Sequence, residues 1–236
     1  IMENLNMGQH ISRRYNEELE DVRNRVLAMG GLVEQQLSDA MRALETRDAS
    51  LADQVVANDL QVNAMEVALD EECNLILARR QPAASDLRLI VAVIKTITDL
   101  ERIGDEAERI AQMASDLVTE ERVGKLFTQI HHLGQHSRSM LRGALDAFAH
   151  LDTDKAVEVW SEDRVLDREY EALLRELMTY MMEDTESIPC VLKTIFAARA
   201  IERIGDRASN ICEYVIYLVK GKDVRHTKLD KSVTKS

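Results

Sequence analysis

Glu101-Arg102-Ile103-Gly104-Asp105 occurs a second time in the same chain, as Glu202-Arg203-Ile204-Gly205-Asp206. Outside these two boxes, residues 40–62 align without gaps with residues 144–166 at a constant offset of 104, while the boxes themselves lie 101 residues apart. A three-residue difference of this kind belongs in a loop, where length changes are tolerated. A period near 100 residues indicates a duplicated domain, because solenoid repeats are shorter.

Long amphipathic helices are predicted throughout the 236 residues. Apolar residues recur at steps of three and four, and the chain has only 2 prolines and 9 glycines. The pattern breaks at 47–48, 80–82, 119–124, 152–153 and 184–189. We therefore expect an all-α fold of six long antiparallel helices, arranged as two tandem three-helix bundles. The predicted boundaries are 1–119 for the first bundle, 120–222 for the second, and 223–236 for a mobile tail.

Composition excludes several classes of function. The 42 acidic residues outnumber the 30 basic ones, giving a net charge of −12 that disfavours nucleic acid as a partner. Cys73, Cys190 and Cys212 form no CxxC motif, so neither a disulfide framework nor a cysteine zinc site is expected. With no basic and apolar leader and no apolar run of about 18 residues, the sequence predicts a cytoplasmic protein.

The acidic residues of the first box lie beside the apolar face of their predicted helix. Counted at about 100° per residue, Glu101, Asp105 and Glu108 fall at the rim of the stripe or inside it. A carboxylate there loses water, which is costly unless cations or donors replace it. Gly104 leaves space between Glu101 and Asp105, so the two carboxylates should border a small anionic pocket.

The second helix of each unit offers further oxygen ligands. Asp59 and Asn63 in the first unit, and Asp163 and Asp167 in the second, repeat the four-residue spacing of the boxes. Oxygen ligands select cations such as Mg²⁺, Ca²⁺, Mn²⁺ or iron. The sequence therefore predicts a metal site in each unit, and the predicted ligands, with the second-helix residues less secure, are Glu101, Asp105, Glu202, Asp206, Asp59, Asn63, Asp163 and Asp167.

Ion pairing within the helices is the alternative explanation of the boxes. Asp105 could meet Arg109, Arg199 could meet Glu202, and Lys95 could meet Asp99, each at a helical spacing of three or four. His132 and His136 also share a helix face, although a polar surface explains them more simply than a metal site. No nucleotide-binding, nucleophile-elbow or Glu-x-x-His motif occurs, so we expect no enzyme.

The chain resembles the PhoU family of bacterial phosphate-transport regulators over nearly its whole length, from about residue 10 to 226. The matching runs are ARRQPAASDLR at 78–88, DLERIGDEA at 99–107, YMMED at 180–184 and IERIGDRASNI at 201–211. Family members consist of two tandem three-helix bundles, are usually dimeric, and bind metal ions at E(D)xxxD motifs. The resemblance places those motifs on Glu101 with Asp105 and Glu202 with Asp206, and less securely on Asp163 with Asp167.

The resemblance also implies a function. Such proteins act as negative regulators of the phosphate-starvation response, linking the ATPase subunit of the high-affinity phosphate ABC transporter to a sensor histidine kinase. We therefore expect a cytoplasmic homodimeric adaptor, located at the inner membrane through its protein partners, with iron, Mn, Mg or Zn at the acidic boxes and no organic cofactor. A metal-dependent enzyme and a metal-storage bundle remain the competing hypotheses.

Overall fold

The structure is a computed structural model that describes residues 2–82, 84–118 and 126–224. Side chains are described from residue 14 onward, except those of residues 126 and 127. Six long helices make up the fold of this part of the chain. A 3-10 turn, Thr185–Ser187, precedes the last helix. No strand occurs in this part of the chain. The helices are α1 (Met2–Thr46), α2 (Ala49–Arg80), α3 (Ala84–Asp116), α4 (Leu126–His150), α5 (Thr153–Glu183) and α6 (Ile188–Lys220).

The helix ends fall near the breaks predicted from the sequence, and the same capping residue recurs in both units. The Asp48 carboxylate accepts the Leu51 amide at 3.0 Å and begins α2. Its equivalent, Asp152, accepts the Lys155 amide at 3.0 Å and begins α5. Gly221 closes α6 with φ at +65°, a conformation that favours glycine.

Each unit packs as a three-helix bundle, and the two bundles lie side by side. Helix α3 contacts α1, α2 and α6, while α6 contacts α4 and α5 as well as α3. The predicted all-α fold of two three-helix bundles is confirmed. The exact boundary between the bundles stays a prediction because it falls within 119–125, outside the described residues. Most of the predicted tail, 225–236, also lies outside them. None of the described helices has an apolar segment long enough to cross a bilayer.

A pseudo-twofold axis relates the two bundles where α1 crosses α4. A Cβ atom added to Gly30 would lie 2.4 Å from Leu145 Cδ2, and one added to Gly134 would lie 2.3 Å from Met41 Cε. These are equivalent contacts, since Gly134 and Leu145 lie 104 residues after Gly30 and Met41. Each glycine lets the opposite helix approach closely, and the paired positions show that α1 and α4 run antiparallel.

Charged side chains join the bundles along α3 and α6. Buried Asp99 accepts hydrogen bonds from Arg207 at 3.2 Å and from the Tyr214 hydroxyl at 2.8 Å. Buried Glu106 pairs with Arg109 at 2.9 Å and with Arg203 at 3.3 Å. The second residue of the Glu-Arg-Ile-Gly-Asp box in α6 therefore serves the contact between bundles.

Candidate metal centre

The first acidic group contains residues from α2 and α3. Asp59, Asp105 and Glu108 each place one carboxylate oxygen within 4.8 Å of the others. Asp59 is buried, whereas Asp105 and Glu108 are partly exposed. The amide of Asn63 donates to Asp59 Oδ2 at 2.9 Å and so holds that carboxylate in place. The group opens toward solvent through its α3 residues.

Gly104 lets α2 approach α3 closely, and an oxygen of Asp59 lies beside the glycine, as the predicted contribution of the second helix requires. A Cβ atom at Gly104 would lie 2.9 Å from Asp59 Oδ1 and 3.4 Å from Gln36 Oε1. The space beside the glycine is therefore occupied by polar atoms of α1 and α2. Gln36, a buried residue of α1, thereby joins the surroundings of this group. No pattern in the sequence pointed to Gln36, because its contact depends on how α1 packs.

Burial disfavours the ionised forms of these carboxyls. It is the main cause that raises the pKa of Asp59, the negative charge of Asp105 adds to it, and the Asn63 hydrogen bond opposes it. Burial likewise raises the pKa of Glu108, with Asp59 and Asp105 contributing. Burial and then Asp105, Glu66 and Asp59 raise the pKa of Glu101. A cation placed among these residues would reverse the electrostatic penalty.

The second acidic group has a different membership. Asp167, Glu202 and Asp206 lie with one carboxylate oxygen each within 4.8 Å of the others. Glu202 is buried; its Oε1 pairs with Arg199 at 2.6 Å, while its Oε2 meets no hydrogen-bond donor in the described part of the chain. Burial and the neighbouring Asp206 raise the pKa of Glu202 to about 7. Burial, followed by Asp206 and Asp167, raises the pKa of Asp163 to about 6.

The two groups differ around their glycines. At Gly205 the nearest atoms to an added Cβ are Leu166 Cδ2 at 2.0 Å and Met140 Sδ at 3.7 Å. Met140 is the equivalent of Gln36, so an apolar side chain replaces the buried amide of the first unit. The second group therefore has fewer neutral polar neighbours to stabilise its carboxylates.

The structure brings together most, but not all, of the predicted ligands. Glu101 and Asp163 lie outside the two compact groups. Both are close enough that the negative charges of group members help to raise their pKa values. Glu108 enters the first group, which the pattern of repeated boxes missed because its equivalent is Ser209. Its position three residues after Asp105, on the same helix face, was the available signal. The assignment of metal ligands stays a prediction.

Ion pairs explain only part of the boxes. The Arg199–Glu202 pair is present, but Arg109 pairs with Glu106, and Lys95 lies 5.4 Å from the centre of the Tyr214 ring. His136 contacts Glu169 at 2.8 Å and Glu162 at 3.3 Å, as a polar surface would.

The donor sets themselves fit a hard cation. Each group offers three carboxylates and no sulfur or imidazole ligand, and buried oxygens of Glu202 and Asp163 lack hydrogen-bond donors among the described residues.

Comparison with known proteins agrees with the repeated architecture. The model of the PhoU domain matches twice, over residues 26–114 and 130–215. The chain belongs to the PhoU family. It is 53% identical over 225 residues to the Serratia marcescens phosphate-specific transport system accessory protein PhoU, covering 95% of this chain and 92% of that one. The Escherichia coli (strain K12) protein of the same name is 51% identical, with 98% and 96% covered.

Two solved PhoU structures have the same fold. The crystal structure of PhoU from Pseudomonas aeruginosa superposes with a TM-score of 0.86 at 54% identity, covering 88% of this chain and 100% of that one. The Streptococcus pneumoniae phosphate transport system regulatory protein PhoU superposes with a TM-score of 0.83 at 32% identity, covering 89% and 99%. The resemblance identified from the sequence is therefore confirmed for the family.

We expect the metal-free protein to lose stability as pH rises from about 4.5 to about 7. Because the pKa of Glu202 is raised to about 7, the native state binds more protons than the unfolded chain over this interval, and stability falls with pH. Glu202→Gln should weaken this dependence and raise Tm at about pH 7.5 by about 2–4 °C, equivalent to about 1 kcal/mol. Thermal melts in chelator across this range, with exposed Glu171→Gln as control, would show it. An unchanged pH profile in Glu202→Gln would contradict it.

Proposed function

We propose that this chain is an accessory regulator of phosphate-specific transport. The observation that carries the proposal is full-length similarity: relatives named phosphate-specific transport system accessory protein PhoU align over more than nine-tenths of both chains. Both acidic boxes lie inside the matched domains, which also cover most of each three-helix unit. No segment the size of a separate catalytic domain is left over between them.

The proposed mode of action is that of a cytoplasmic adaptor. The chain would contact the ATPase subunit of the phosphate ABC transporter and a sensor histidine kinase, and would hold the kinase inactive when phosphate is plentiful. An adaptor needs no chemistry of its own, because preferential binding to one state of each partner shifts its population. The lack of a nucleophile or general-base motif at the acidic groups is consistent with this role.

Exposed apolar residues support a protein-binding role. Ile188, Leu192 and Phe196 follow one another at four-residue steps along α6, and the Phe196 side chain is 63% exposed. Their spacing places them on one helix face. Exposed apolar patches are a feature of protein and membrane interaction sites and of ligand-binding grooves, so this row is consistent with a protein-binding role.

Metal binding at the two acidic groups forms part of the proposal. Asp59, Asp105 and Glu108 would hold one cation, and Asp167, Glu202 and Asp206 a second, with Glu101 and Asp163 at their edges. Bound metal would supply positive charge that neutralises the clustered carboxylates. Oxygen ligands favour Mg²⁺, Mn²⁺ or iron, and Zn²⁺ is accommodated less readily.

A metal-storage or metal-dependent enzyme is the competing function, favoured by the same clustered carboxylates. It predicts iron loading well beyond the few ions that two compact groups can hold, or redox turnover. Elemental analysis of protein purified without chelator or affinity metal distinguishes the hypotheses. A few ions per chain without turnover supports the adaptor, whereas heavy loading supports storage.

Deletion of the gene should switch on the phosphate-starvation response even in high phosphate, because the kinase is released. The measurement is a phosphate-responsive reporter, combined with co-purification of the transporter ATPase and the kinase on tagged protein. Phe196→Ser tests the exposed apolar row of α6 in the same co-purification. Its thermal melt should stay intact because the side chain is exposed, and the exposed substitution Thr179→Ser is the control. A reporter that stays silent in the deletion strain at high phosphate would contradict the proposal.

A further inference from the structure

Gln36 is a buried polar residue of α1 that lies beside the first acidic group. It is 2% exposed, and neither its amide nitrogen nor its oxygen makes a hydrogen bond of normal geometry to a described residue. Its Oε1 and Asp59 Oδ1 lie 3.4 Å and 2.9 Å from the point that a Cβ atom of residue 104 would occupy. Asp59 Oδ1 likewise meets no donor in the described part of the chain. Two buried oxygens therefore lie beside the same point without a donor between them.

An amide buried in this way needs a partner, because an unpaired buried polar group costs about 1–3 kcal/mol. Gln36 is close enough to Asp59 to lower the pKa of that carboxyl, although the effect of burial is larger. A cation held by the carboxylates of the first group would give the Gln36 oxygen its partner. Side-chain amide oxygens are ordinary ligands of hard cations that take six or more oxygens.

The second bundle provides an internal comparison. Met140 occupies the position equivalent to Gln36, 104 residues later, and is also 2% exposed. Its sulfur lies 3.7 Å from the corresponding point beside Gly205, so a thioether stands where the first unit has an amide. The fold therefore does not require a polar residue at this position. A buried amide that its structural equivalent lacks, placed beside the carboxylates, indicates a role in the first acidic group.

The two groups also differ in the positive charge that the protein itself supplies. In the second group Arg199 pairs with Glu202 at 2.6 Å and neutralises part of its charge. The equivalent of Arg199 is Thr98, whose hydroxyl donates to a backbone carbonyl of its own helix at 3.0 Å. The three carboxylates of the first group form no ion pair with any residue that the structure describes. The first group therefore offers more uncompensated charge to a cation.

We propose that Gln36 is a ligand of the first acidic group, and that its amide oxygen makes this group selective for Mn²⁺-like cations over Zn²⁺. Cations of the Mn²⁺ class accept six oxygen ligands, whereas Zn²⁺ favours four ligands, often nitrogen or sulfur. The ligands then come from all three helices of the bundle: Gln36 of α1, Asp59 of α2, and Asp105 with Glu108 of α3. The inference rests on the metal binding in the proposed function and adds a residue outside the repeated boxes.

Calorimetric titration of Mn²⁺ and of Zn²⁺ into the chelator-treated full chain tests the selectivity. Glu202→Gln with Asp206→Asn disables the second group, so that the first is titrated alone. In this background Gln36→Met, which introduces the residue of the second unit, should raise the Kd for Mn²⁺ by about tenfold or more and that for Zn²⁺ by less than about threefold. Met140→Gln is the matched control and should leave both Kd values within about twofold. Equal losses for the two ions would overturn the proposal.

Gln36→Glu distinguishes an oxygen ligand from a hydrogen-bond donor. The ionised glutamate keeps an oxygen at the same reach and has no NH₂ group, so it cannot donate to Asp59. We expect the Kd for Mn²⁺ to stay within about threefold of its value with Gln36, or to fall. A loss as large as that of Gln36→Met would overturn the proposal, because the amide would then act only by holding Asp59. Circular dichroism establishes that each variant is folded.

The same titrations separate this inference from the proposed function. If the chain that retains Gln36 binds no Mn²⁺ at the first group, metal binding in the proposed function fails and the role of Gln36 fails with it. If Mn²⁺ binds and Gln36→Met leaves its Kd unchanged, the role of Gln36 alone is overturned.

Discussion

Adding Mn²⁺ to chelator-treated protein should raise Tm by about 5–10 °C. The two acidic groups each place three carboxylate oxygens within 4.8 Å, and burial already disfavours their charges. A cation at about 100 times its Kd stabilises the native state by about 2.7 kcal/mol. For a chain of this size each 1 kcal/mol corresponds to about 2–4 °C. Differential scanning calorimetry with and without Mn²⁺ measures the shift.

Substitution of the second group separates the two sites. Glu202→Gln with Asp206→Asn should abolish the contribution of that group while leaving the first group able to bind. Asp154→Asn with Glu158→Gln is the matched control, because it makes the same change of charge at the same spacing on the exposed part of α5. An equal Mn²⁺ shift in the Glu202 and Asp206 variant would mean that these carboxylates are not ligands.

Asp99→Ala should destabilise the protein by about 2–3 kcal/mol, or about 5–10 °C in Tm. The Asp99 side chain is 3% exposed and accepts from both Arg207 and Tyr214, so its loss removes the buried acceptor of two α6 donors in the contact between bundles. Because Arg207 is 31% exposed, water compensates part of the cost. Urea unfolding followed by circular dichroism gives the free energy of unfolding.

Tyr214→Phe provides a graded comparison. It removes one of the two hydrogen bonds and should cost about 1 kcal/mol. Asp116→Ala, at an exposed position near the end of α3, should change stability by less than about 0.5 kcal/mol. If Asp99→Ala also falls within that range, the charged contacts between α3 and α6 do not hold the bundles together.

The helices and their ends could be predicted because they depend on local signals. Asp48 and Asp152 cap helices by bonding to amides three residues ahead, and Gly221 adopts a left-handed conformation, so each break is written in neighbouring residues. The apolar periodicity of each segment reflects burial along a single face. The duplication shows the same pattern twice in the sequence.

The make-up of the acidic groups was harder to predict because it depends on contacts between helices. Repetition pointed to Glu101, yet the packing of α2 against α3 selects Asp59, Asp105 and Glu108. The equivalent of Glu108 is Ser209, so a search for symmetric residues discards it. Likewise, nothing in the local sequence distinguishes Arg203, which pairs with Glu106 across the bundles, from its equivalent Arg102.

The crossing of α1 and α4 carries a trace of the ancestry of the chain. Glu34 and Arg138 are equivalent residues, 104 positions apart, and they pair with each other at 3.4 Å beside the pseudo-twofold axis. In an ancestral assembly of two identical single-unit chains, that position would have faced its own copy, so a charge there would have met the same charge. Gene fusion removes this constraint, because the two halves can then mutate separately. An attraction that two identical subunits could never encode has become available within one polypeptide.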